Sequence, residues 1–216
     1  MPPKQRPTRT PSPLRRQSGP KRRDTRQAPG WHKPAMLGGS AIAALVVVVA
    51  AVAWLAGGRG GQASVEQAMA AAGCTFKTYP DQGQGHVASY DAKVKYNSFP
   101  PTSGTHHQTP VIWGAYEDAV PLVAEGHNLE HGGVIIQYGD EVDVTVRGQL
   151  RAFYDDSQNG VLLASLPQLG DKVALTAWTK LATCQAFDEN AFGAFRSAYR
   201  GNGPERFRVG DLQPGT

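Results

Sequence analysis

Residues 132–163 read GGVIIQYGDEVDVTVRGQLRAFYDDSQNGVLL, and this stretch decides the fold class. Residues 133–138 are a short, glycine-opened run rich in β-branched side chains, which predicts a strand. Residues 140–156 carry two periodicities at once. Val142, Val144 and Val146 alternate as in a strand, whereas Val146, Leu150, Phe153 and Tyr154 recur as one face of a helix. The acids at the start of the segment suit the positive end of a helix dipole, so the helix is the better reading. Gln158-Asn159-Gly160 then marks a turn, and residues 161–163 form a second strand.

The flanks continue this mixture. Ser64-Val65-Glu66-Gln67 has the form of a capping box before an alanine-rich run, predicting a short helix that ends at Gly73. A strand over residues 75–79 and a turn over 81–85 follow. Residues 96–110, with three prolines and Gly104, read as a loop. Residues 173–183 form a strand pair or one long strand. Asp188 caps a helix whose Phe192, Phe195 and Tyr199 share a face and which Gly201 ends. Residues 206–216 read as a loose tail. The expectation is α+β: a small mixed or antiparallel sheet with flanking short helices, preceded by one transmembrane helix.

That membrane segment is residues 35–56, AMLGGSAIAALVVVVAAVAWLA, 22 residues without a charge. At about 1.5 Å per residue it can cross a hydrocarbon core of roughly 30 Å. Residues 1–33 hold ten Lys/Arg against Asp24 alone, so the +4 of the whole chain hides a tail at +9 and a remainder at −5. The Lys/Arg excess places the N-terminus in the cytoplasm, with the C-terminal domain outside. The organisation expected is a disordered basic tail over 1–34, the membrane helix, a linker over 57–63, and an extracytoplasmic domain over 64–205. A cleaved secretory signal is the rival reading, and it also puts the domain outside. The tail can attract anionic lipid headgroups. The acidic remainder offers no basic stripe for nucleic acid, and nothing identifies a protein partner. Abundant Ala and Gly with few Lys fit a bacterial chain.

The two cysteines, Cys74 and Cys184, stand near the two ends of the domain, and outside the cytoplasm they can form a disulfide. The rival is a pair of free thiols. No CxxC is present, so thioredoxin-like redox chemistry has no support.

Five of the six histidines, His86, His106, His107, His127 and His131, fall within 46 residues. Imidazoles converging from separate loops are what a copper or zinc site needs. His127-Asn128-Leu129-Glu130-His131 places two histidines four apart, on one helix face. Pro100-Pro101-Thr102-Ser103-Gly104-Thr105-His106 is a stiff turn that can aim His106 as a third ligand. The candidate metal ligands are therefore His106, His127 and His131, with Glu130 behind a histidine as an orienting partner. His86 and His107 read as exposed bystanders. The order H-x-x-E-H also matches the inverted zinc-protease motif with Glu130 as general base, but Gly132-Gly133 cuts the helix short. Trp113, Tyr116 and Tyr138 suit core packing more than an aromatic wall.

Residues 96–106 (YNSFPPTSGTH), 113–116 (WGAY) and 127–134 (HNLEHGGV) together resemble the bacterial family DUF3105. Residues 174–178 and the helix over 188–200 are similar to it as well. Phe99 and His107 depart from its pattern. The resemblance implies a membrane-anchored or exported domain and supplies no activity, since none is established for the family. Three functions stay open: a metal-binding module, a structural or partner-binding envelope domain, and a metal-dependent hydrolase.

Overall fold

In the computed structural model, residues 64–216 are described. The expected tail, membrane helix and linker over residues 1–63 lie outside them. Among the described residues, no helix is long and apolar enough to cross a membrane.

The valine-isoleucine run is the strand Val134–Tyr138, and all five of its side chains are buried. A strand buried on both faces must have strands on both sides and layers above and below. In chain order the elements are a helix over residues 64–71 (α1), then β1 (Thr75–Thr78), β2 (His86–Val87), β3 (His106–His107), β4 (Ala115–Ala119), α2 (Leu122–Glu130), β5 (Val134–Tyr138), α3 (Val144–Asp156), β6 (Val161–Ser165), β7 (Val173–Ala177), β8 (Lys180–Cys184) and α4 (Glu189–Tyr199). Six strands form one sheet in the order β1-β8-β7-β5-β6-β4. The pairs from β1 to β5 are antiparallel, and β5-β6 and β6-β4 are parallel. The sheet is mixed because α3 carries the chain from β5 back to a parallel neighbour, as a crossover must. The ambiguous residues 140–156 resolve as helix from Val144, with the Asp143 side chain accepting from Thr145 N–H at 2.7 Å. Residues 173–183 resolve as a hairpin, turning at Thr179 with φ 63°.

One face of the sheet takes Val134, Ile136 and Tyr138 against Val65 and Met69 of α1, Leu150 and Phe153 of α3, and Phe192 and Phe195 of α4. The other takes Ile135 and Leu162 against Leu129 of α2, Trp113 and Leu212. α4 begins where Asp188 accepts from Ala191 N–H at 2.8 Å. It is locked by its Phe192-Phe195 face and by Arg196, 3.9 Å over the Phe153 ring. The expectation of a loose tail over 206–216 meets a different structure. Leu212 is buried, Gly160 N–H donates to its carbonyl at 2.7 Å, and Trp113 N–H donates to the Thr216 carbonyl at 2.9 Å. The sequence signal was missed because one leucine in a Gly/Pro-rich stretch sets no period. β4 was likewise unexpected: it is an edge strand whose residues Ala115–Ala119 are half-buried to exposed, without an apolar alternation.

Cys74, at the foot of α1, and Cys184, at the end of β8, are joined as a disulfide across 110 residues. Removing it by Cys74→Ala/Cys184→Ala should lower unfolding stability by about 4–5 kcal/mol, the loop-closure estimate for a loop this long. Urea titration of the double variant checks this, and an unchanged midpoint would mean that the crosslink adds nothing to packing already in place. Asp188→Ala should cost about 1 kcal/mol, because the first turn of α4 loses its side-chain acceptor. The same titration reads that loss, and a neutral result would assign the helix start to packing alone.

Candidate metal centre

The histidines gather because three short segments are pinned together. The loop before β3 is almost wholly buried from Pro100 to His107, with Thr105 alone half-buried. It is tied to the sheet by Thr179 N–H donating to Thr102 O at 2.9 Å. Gly104, at φ 110°, makes the bend that lets His106 N–H reach Gly85 O at 2.8 Å. That bond opens the parallel pair β2-β3, whose register sets His86 beside His106. Behind them runs α2. Its Gly126 faces His106 so closely that an added Cβ would lie 2.6 Å from the His106 Cβ. Only glycine lets the helix lie this near the loop.

α2 uses each residue of its last turn differently. His127 and Glu130, three apart, point toward His106. Asn128 pairs with the backbone of Val111 in both directions at 2.8 Å, which fastens the preceding chain to the helix. Leu129 enters the core. Gly132, at φ 89°, then ends the helix, and its N–H donates to Leu129 O at 2.9 Å.

The donor atoms of His86, His106, His127 and Glu130 all lie within 4.8 Å of one another. His106 Nε2 is 3.0 Å from Glu130 Oε2, and His86 Nε2 is 3.7 Å from the same oxygen. Tetrahedral zinc with nitrogen ligands at about 2.0 Å needs ligand separations of about 3.3 Å, so the cluster is close to that size. The tautomers follow from the other ring nitrogens. His106 Nδ1 is 2.8 Å from Gly104 O, and His127 Nδ1 is 2.9 Å from His107 O. Carbonyls only accept, so both Nδ1 atoms carry hydrogen and donate. His127 is left with Nε2 as its lone pair. His106 Nε2 faces a carboxylate, where either an N–H or a lone pair beside a cation satisfies the geometry. Histidine ligands of metals are held in just this way, with the far N–H on a carbonyl.

The site differs from the sequence expectation in membership. His86, expected as a bystander, joins the cluster, although its side chain is 47% exposed. A two-residue strand pair leaves no pattern by which this could be foreseen. Glu130 meets His106 Nε2 and its oxygen is among the clustered donors, while backbone carbonyls hold the Nδ1 atoms of His106 and His127. His131 belongs to a second group with His127 and Glu205, whose donor atoms also lie within 4.8 Å of one another. His107 is buried, not exposed. Its Nε2–H donates to Ala88 O at 3.1 Å, its Nδ1 accepts from Thr109 N–H at 3.0 Å, and its ring stacks on Tyr90. Both nitrogens are spent on structure. Trp113 is core, as expected. Tyr138 lines an open cleft of about 580 Å³ with Tyr116, Arg147 and Arg151, which contains none of the histidines.

Beneath α2 the interior is polar. Glu125 is buried and accepts from Gln137 Nε2 at 2.8 Å. Burial pushes its carboxyl up to about 8. Tyr96, whose hydroxyl donates to Thr105 O at 2.8 Å and so braces the His106 loop, is pushed up to about 12 by burial and then by the Glu125 charge. For His131, burial first and the neighbouring His127 next lower the imidazole from its usual value, against the pull of Glu205.

No curated protein and no solved structure matches the chain. The family described as "Protein of unknown function (DUF3105)" matches residues 86–209, a span that opens on His86 and includes Glu205. With both histidine groups inside the matched region, the chain belongs to the DUF3105 family.

Proposed function

We propose that this chain is a membrane-anchored bacterial protein whose extracytoplasmic domain binds copper or zinc through His86, His106 and His127, with Glu130 as the fourth ligand. One observation carries the metal reading: His106 and His127 each commit Nδ1–H to a backbone carbonyl, His106 turns Nε2 to the Glu130 carboxylate, and the donors of His86, His106, His127 and Glu130 lie within 4.8 Å of one another. Three imidazoles and one carboxylate make a complete tetrahedral donor set for zinc, and imidazole suits Cu(II) equally. A purely structural role accounts for His107, whose nitrogens both have backbone partners, but leaves the His127 lone pair without a donor. A hydrolase built on H-x-x-E-H would need Glu130 as a base open to water, whereas Glu130 is buried against His106.

The anchor is supported by the uncharged run over 35–56 and the basic tail before it, and the outside location also by the disulfide. Anionic lipid beside the tail is the partner this charge favours.

The full-length chain, purified without a histidine tag, should carry near-stoichiometric copper or zinc by mass spectrometry, and His127→Ala should lose it. A parent chain that stays empty after reconstitution with both ions would overturn the metal reading. In cell fractions the chain should remain in the membrane pellet through an alkaline wash, at its full mass. A shorter, released form would replace the anchor with a cleaved signal.

A further inference from the structure

The end of α2 carries a second set of donors that the inner cluster does not use. His131 Nε2 lies 3.1 Å from Glu205 Oε2, and the His131 ring meets the His127 ring edge-on at 4.6 Å. Glu205 is far from α2 in sequence, yet its place is fixed. Its N–H donates to Glu130 O at 3.2 Å, and Gly201 N–H donates to Gly132 O at 2.7 Å. A Cβ on Gly132 would come 2.8 Å from Gly203 N, so the C-terminal segment lies directly on the helix end. Phe207 covers the outer face of the His131 ring at 4.0 Å.

The inner pair His106 and Glu130 is 0% and 2% exposed, whereas His131 and Glu205 are 14% and 42% exposed and the inner cluster's own His86 is 47% exposed. The two groups share one ligand. With Nδ1–H held by His107 O, His127 has a single free nitrogen, and a neutral imidazole nitrogen binds one ion at a time.

We propose that His127, His131 and Glu205 form an outer ion position through which copper or zinc enters, His127 passing from the outer ion to the inner one as it moves inward. This rests on the inner cluster being a metal centre. The outer position has two nitrogens and one oxygen with coordination left open to water, which suits a transient stop. The inner position has four protein donors and suits retention. Because His127 serves both, the two positions are filled in alternation, and the chain holds one ion at equilibrium.

The test uses the full-length chain with Cu²⁺ alone as probe, following loading by stopped-flow absorbance and final stoichiometry by mass spectrometry. Glu205→Gln changes an exposed side chain and His131→Gln a partly exposed one, so both variants should fold. Each should still bind one ion at equilibrium but load about tenfold more slowly, the scale on which polar partners of a metal site act. Loading at the parental rate in both outer variants, with one ion still bound, would overturn the entry position and leave the inner centre standing. A parent chain that binds no Cu²⁺ and no Zn²⁺ would overturn both.

Discussion

The contact between His106 Nε2 and Glu130 Oε2 constrains the rest of the site. An imidazole and a carboxylate meet at 3.0 Å with both side chains out of water. Burying a carboxylate costs several kcal/mol unless charge and hydrogen bonds compensate it. Here the ring cannot rotate to relieve the contact, because Gly104 O holds its other nitrogen and Gly126 closes the space behind its Cβ. Compensation must therefore come from positive charge placed between the two groups, as a proton or as a metal ion. The proposed metal reading takes the ion, because the donors of His86 and His127 lie within 4.8 Å of the pair. A single proton needs one acceptor, and further lone pairs aimed at the same point would repel one another.

His107 serves as an internal comparison. It is adjacent in sequence to His106, equally buried, and also within the two-residue strand β3. Alternation along the strand turns it to the opposite side, where Ala88 O and Thr109 N–H satisfy both ring nitrogens. Two neighbouring histidines thus have the two fates open to a buried imidazole. One has both nitrogens on backbone groups, and the other has one on a backbone carbonyl and one on the Glu130 carboxylate. Phe99, in the same loop, is 50% exposed and lies outside the cluster.

Where regular periodicity existed, the fold was legible in the sequence. β5, α3 and α4 follow from the GVIIQY run, from the spacing of Leu150, Phe153 and Tyr154, and from the aspartate caps. The mixed sheet follows from having a helix between β5 and β6. Half of the site was legible too, since H-N-L-E-H and P-P-T-S-G-T-H are short-range patterns with mechanical meaning. What escaped was long-range and patternless. His86 reaches the cluster through a ladder two residues long, and Glu205 reaches His131 through backbone bonds to a glycine turn. The pairing of His127 with His131 was a correct helix-face argument that stopped too early. Residues i and i+3 share that face as well, and it is Glu130, at i+3, that turns with His127 toward His106.

On the proposed metal reading, the arrangement would also tie ion binding to folding. The inner donors come from three places, β2, β3 and α2, and the outer ones add the C-terminal segment. None of these is long enough to be stable alone: β2 and β3 have two residues each, and α2 has nine. An ion held only by the native arrangement stabilises it by mass action. The side of the sheet opposite this centre is closed by the disulfide and by the Phe192-Phe195 core, which need no ion. One face of the sheet is thus closed by the crosslink and the Phe192-Phe195 core, and the other by α2 with the Leu129-Trp113-Leu212 core.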